Sequence, residues 1–134
     1  MTTEMRGRVQ RQKGQAAVEF ALVAPVVFLL LFAVIEFGLL LYNYIEIGSA
    51  AREGARKAAV SRYSADPVKD VRDAVQRSTS VVDDAKLSIA VTPGTPWSSG
   101  QDVTVTLSYP YSMNVMGVVV WSGNLRGTSI VRVE

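Results

Sequence analysis

The chain has 134 residues, 49% of them hydrophobic and 19% charged, enough for one small domain plus one long helix but not for two independent cores. Cys and His are both absent, which excludes thiolate chemistry, disulfides, the usual zinc sites and every His-based triad or general base, so neither a cofactor nor an enzyme activity is expected. The net charge of +2 does not describe a nucleic-acid-binding face: Arg6, Arg8, Arg11 and Lys13 crowd the N-terminus against Glu4 alone, and beyond Gly14 ten basic residues meet eleven acidic ones.

From Phe20 to Leu41 the chain reads FALVAPVVFLLLFAVIEFGLLL, with Glu36 as its only charge. As a helix these 22 residues measure about 33 Å, against a hydrocarbon core of about 30 Å, so the run is long enough to span a bilayer. A secretory signal peptide is the competing reading. Its apolar region runs about 7–15 residues and ends near a small-x-small site; here Gly48-Ser49-Ala50 is the candidate, and Tyr42 to Ile47 separate it from the run. A buried core helix lacks the surrounding apolar mass. Arg11 and Lys13 lie close to the start of the run, whereas the first cation after it is Arg52, so the N-terminus is expected in the cytoplasm and the C-terminal part outside it. Tyr42 and Tyr44 suit the outer aromatic belt, and Pro25 predicts a kink near the cytoplasmic end.

Two carboxylates need a reason. Glu19, just before the apolar run, interacts favourably with a helix N-terminus in its bland reading. The string Lys13-Gly14-Gln15-Ala16-Ala17-Val18-Glu19-Phe20 also resembles the class III signal of type IV pilins and pseudopilins, a basic leader ending in Gly with Glu at the fifth mature position. The resemblance implies cleavage by prepilin peptidase after Gly14, Gln15 as the new N-terminus, where Phe or Met is commoner, and Glu19 as partner of the new amine. Glu36 lies about 9 Å to the outer side of the run's midpoint, where a charge is costly and an acid is by default a functional candidate. It is expected to pair with a partner helix or a pilin amine; the alternative is a protonated or outward-reaching side chain without a role.

From Tyr42 to Val60 the absence of Pro and the richness in Ala, Glu, Arg and Lys predict that the helix continues, for a total approaching 45 residues. Small residues at Ala51, Gly54, Ala55 and Ala58 allow another element close to one face. Taken in order, Gly14 to Leu22, Ile35-Glu36-Phe37-Gly38 and Ala51-Arg52-Glu53-Gly54-Ala55-Arg56 are similar to the TadE-like family of tight-adherence (Flp) pilus assembly proteins, minor pseudopilins. The resemblance implies that Gly38, Ala51, Arg52, Glu53, Gly54, Ala55 and Arg56 serve helix packing, with other pilins or pseudopilins and the tight-adherence membrane machinery as partners.

Asp66 caps a second helix with Pro67 at its first position, and Val68, Val71, Ala74 and Val75 form one apolar stripe through about Arg77. The period then changes to two. Leu87, Ile89 and Val91 alternate with Ser88, Ala90 and Thr92; Val103, Val105, Leu107 and Tyr109 repeat the pattern; a third strand runs from about Gly127 to Val133. Met113 to Trp121 is expected as a buried connection, with an exposed partner-binding patch as the alternative. Asp83-Asp84 reads as a solvated helix end rather than an acid/base pair.

The expected architecture is α+β: residues 1–14 a cleaved basic leader, 15–62 a transmembrane and juxtamembrane helix, and 63–134 a small extracytoplasmic domain with a short helix packed on an antiparallel sheet, pilin-like. The expected function is that of a TadE-like minor pseudopilin in the bacterial inner membrane, taking part in assembly or anchoring of the pilus. Two rivals stand beside it. One is an uncleaved single-pass anchor displaying a small adhesive or partner-binding domain; the other is a membrane-tethered hydrolase or accessory enzyme subunit, which would need acidic residues converging in a pocket.

Overall fold

A computed structural model of the chain describes the backbone from Thr2 to Glu134 and the side chains from Gly14 onward. Helix α1 spans Thr2–Val60 and is followed by α2, Pro67–Ser78, and three strands: β1 Ser88–Thr92, β2 Asp102–Val115 and β3 Val118–Arg132. The strands form one antiparallel sheet in the order β1-β2-β3. This is the α+β arrangement expected from the sequence, with the sheet and α2 packed on the C-terminal part of α1.

Helix α1 continues through Pro25 without a break. Its partner α2 starts as the local signal dictates: the Asp66 carboxylate accepts from the Lys69 N–H at 2.9 Å, and Pro67, which has no N–H to satisfy, takes the first turn. Val71, Ala74 and Val75 then fall on one face and are buried. On β2, Val103, Val105 and Leu107 alternate inward and are fully buried, while Ile89 and Val91 of β1 complete that face. Opposite them α1 offers Ile47, Ala50, Ala51, Ala55 and Ala58, all buried. The upper part of α1 is thus a wall of the head's core. Each large side chain sealed there contributes about 1.5–3 kcal/mol.

Gly54 shows why this stretch of α1 is small-residued. A Cβ at that position would lie 2.7 Å from a Val75 methyl and 3.2 Å from one of Val105, so only glycine lets α1 approach α2 and β2 at once. Gly127 does the same for β3, where a Cβ would meet the backbone oxygen of Ile47 at 2.8 Å. The β1–β2 connection is held by buried Trp97, whose indole N–H donates to the Pro93 carbonyl at 3.0 Å.

The segment Met113–Trp121 corrects an expectation. It is no buried connection: β2 and β3 pair from Asp102–Arg132 to Val115–Val118, and the segment is the end of this long hairpin. Met116 and Gly117, with φ of 51° and 86°, make the two-residue turn, which has the positive-φ pair of a type I′ hairpin. A register shift after Met113 leaves Val120 without a partner on β2. Met116, Val118, Val119, Val120 and Trp121 are 44–65% exposed.

Candidate functional site

Two surface depressions of the head, one edged by Arg62, Tyr63 and Glu134 and one by Arg72, Gln76 and Ser88, are open, and neither brings an acid pair together. Among the described residues no three metal-ligating side chains cluster. Asp83 and Asp84 serve their own turn: Asp83 accepts from the Ala85 N–H and Asp84 from the Thr79 hydroxyl, both at 3.0 Å.

The candidate site is the surface of α1 itself. Sixteen large apolar side chains between Val18 and Leu41 are 44–72% exposed, and the most apolar window of the helix has no buried residue. Keeping them in water would cost tens of kcal/mol at about 1.5–3 kcal/mol per side chain, more than the roughly 5–15 kcal/mol that hold a small domain together. The helix is long and apolar enough to cross a membrane, and such a rod suggests membrane anchoring.

The expected cleavage site lies at the start of this rod. Gly14 has open space around it, and one turn on, the Gln15 side-chain amide donates to the Glu19 carboxylate at 3.2 Å on an exposed face. The cationic side chains of the expected leader, Arg6, Arg8, Arg11 and Lys13, lie outside the described residues.

Glu36 is half-buried, and the phenol of Tyr111 from β2 lies close to it. The acid expected to seek another chain thus has a polar neighbour in its own. Of the residues expected to pack helices, Ala51, Gly54 and Ala55 are sealed inside the head, whereas Arg52 reaches Ser49 at 3.0 Å and Arg56 pairs with Glu53 at 3.7 Å on the outer surface. Gly38 has nothing within 4 Å and offers the apolar rod an open point of approach.

Sequence reasoning missed Glu46. Its carboxylate accepts from the Ser80 hydroxyl at 3.0 Å, from the Val81 N–H at 3.1 Å and from the Ser80 N–H, tying the segment after α2 to α1. Burial raises its pKa, but the hydrogen bonds outweigh that and the net shift is downward. Its partners lie 34 and 35 residues away, and no local pattern signals such a contact. Tyr111 lies just past the alternation read from Val103 to Tyr109.

Residues 14–56 match the family model described as TadE-like protein. No curated protein and no solved structure matches the chain. The matched segment holds Gly14, Glu19, Glu36 and the small-residue stretch through Arg56. The match covers 43 of the 134 residues, the apolar rod and the start of the head's core wall.

Proposed function

From the TadE-like match over residues 14–56 we propose that this chain is a minor pseudopilin of the tight-adherence (Flp) type IV pilus. It sits in the bacterial inner membrane as a single-pass protein, N-terminus cytoplasmic and head extracytoplasmic. Prepilin peptidase removes the leader after Gly14, and the chain then acts in assembly or anchoring of the pilus by packing its helix beside those of other pilins. The observation that carries this reading is the uncovered apolar rod of α1 beginning just beyond Gly14 and Glu19.

Cleavage at Gly14 would leave an ammonium on Gln15, and such a charge among apolar helices costs several kcal/mol. Glu19, already within reach of the Gln15 side chain, offsets part of that cost from one turn away. Gly38 allows a neighbouring helix close, and Glu36, with Tyr111 beside it, offers that neighbour a hydrogen-bonding group inside the lipid phase. Ala51, Gly54 and Ala55 support the same packing indirectly, by clamping the head to the rod; Arg52, Glu53 and Arg56 face outward above the membrane, where partner pilins meet them.

The test is expression with and without a co-expressed prepilin peptidase, followed by intact mass and N-terminal sequencing of detergent-extracted protein. Peptidase-dependent loss of residues 1–14, with Gln15 first, is expected. A chain that keeps Met1 when the peptidase is active on a known prepilin in the same cells overturns the reading.

A further inference from the structure

We propose that the end of the β2–β3 hairpin is a second membrane-contacting element, seated in the head-side leaflet of the bilayer that α1 crosses. The proposal rests on the membrane-spanning reading of α1 and adds to it a surface of the head that touches lipid.

The first observation is alignment. Gly127 is in contact with the backbone of Ile47, and Tyr111, paired with Gly123, faces Glu36. From Ile47 to Glu36 the helix descends about 16 Å, and from Gly127 to Gly123 the strand runs about 14 Å. The hairpin therefore runs down alongside the helix. Glu36 lies near the head-side end of the apolar run, which closes at Leu41, so Tyr111 is at the level of that end. Past Tyr111 the hairpin has at most about 13 Å more to Val115, and the strong twist of a two-stranded ribbon turns part of that length away from the helix axis, so the turn stays within the head-side leaflet.

The second observation is chemical. Between Asp102 and Arg126 no residue is charged, although most of this hairpin is at the surface. Its outward-facing positions carry Ser108, Ser112, Asn114, Ser122 and Asn124, polar but neutral, which suits the headgroup zone. The turn carries Met116, Val118, Val119, Val120 and Trp121, exposed on an end that nothing in the head covers. Met116 occupies a left-handed turn position that Asn, Asp or Gly takes in a water-facing hairpin. An apolar side chain kept there against backbone preference points to a surrounding that is not water.

Backbone chemistry limits the depth. Beyond Ser108, β2 no longer pairs with β1, and free strand edges are not tolerated in the hydrocarbon core. Pro110 removes one donor just past that point. The body of the hairpin thus belongs in the interfacial zone, its edge groups hydrogen-bonded to headgroups and water, with the apolar turn reaching the acyl chains.

The chain has no cysteine, so single spin labels at Val119→Cys, Phe28→Cys and Ile130→Cys report without background, each replacing an exposed side chain. The full chain is reconstituted in phosphatidylcholine–phosphatidylglycerol vesicles, and collision rates with oxygen, which enters the bilayer, and with nickel-EDDA, which does not, are compared. The expected oxygen-to-nickel ratio is several-fold higher at Val119 than at Ile130, approaching that at Phe28. A Val119 ratio equal to that of Ile130, with Phe28 still shielded, overturns the proposal and leaves the span intact. Low access to both probes at Val119 also overturns it, since the end is then covered by a second copy of the chain. High nickel access at Phe28 removes the spanning reading, and the proposal with it.

Discussion

The Tyr111 phenol faces the Glu36 carboxylate, a residue of the sheet against a residue of the apolar rod. An acid inside a bilayer is costly when nothing polar accompanies it, and the hairpin brings a hydroxyl to it. Tyr111→Phe, which removes the hydroxyl and keeps the ring, should lower the thermal midpoint of the reconstituted chain by the equivalent of about 1 kcal/mol, and Glu36→Gln on that background should add little further; fully additive effects of the two changes would separate Tyr111 from Glu36.

Glycines in α1 should respond to the same substitution with opposite signs. In an open helical position Gly→Ala gains about 0.5–1 kcal/mol from backbone entropy. Gly48, whose added Cβ would meet only the Arg52 guanidinium at 3.9 Å, should show that gain. At Gly54 the added methyl meets Val75 at 2.7 Å, and overpacking costs about 1–3 kcal/mol; the clash outweighs the propensity and Gly54→Ala should lower the denaturation midpoint. Equal shifts in urea unfolding of the two variants would show that α2 yields freely.

These elements differ in how far the sequence announces them. Asp66-Pro67, the stripe Val68 to Val75 and the alternation from Val103 to Tyr109 are local signals whose cause lies within a few residues, and each forms as read. The run from Phe20 to Leu41 is equally legible, because only length and apolarity are at stake. Strand β2 continues beyond Tyr109, through Pro110 and the apolar end, where alternation blurs; a hairpin end that is apolar on both sides does not show the water-facing period from which strands are recognised. The small residues of α1 announced close packing, but not that α2 and the sheet of the same chain are what Ala51, Gly54 and Ala55 meet.

Glu46 should make the head acid-sensitive. Its burial disfavours the charge, but the donors from Ser80 and Val81 prevail and its pKa is lowered from 4.5. The stabilisation is therefore present above the ordinary glutamate value and is lost as pH falls through the lower native one. Proteolysis between Thr79 and Asp83 should accelerate below that range in the native chain. Glu46→Ala should show the fast rate at neutral pH, and Glu46→Gln, which keeps an acceptor but no charge, an intermediate rate without acid dependence. A pH-independent native rate would deny Glu46 this role.

Gly127 sets the angle between hairpin and rod, and its replacement tests that coupling. The added Cβ of Gly127→Ala would lie 2.8 Å from the Ile47 oxygen and 3.0 Å from its carbonyl carbon; unlike the methyls around Gly54, helix backbone cannot swing aside. The sheet must then move off α1, at about 1–3 kcal/mol for an overpacked contact, and a small displacement at Gly127 grows along the strand toward Trp121. Amide exchange should rise at Tyr109–Val115 and at Val118–Leu125 while α2 stays protected, since Val71 and Val75 pack around Gly54 independently of Gly127. Exchange that rises uniformly through the head would show global loosening, and unchanged exchange would mean that the rod and hairpin are not locked through this glycine.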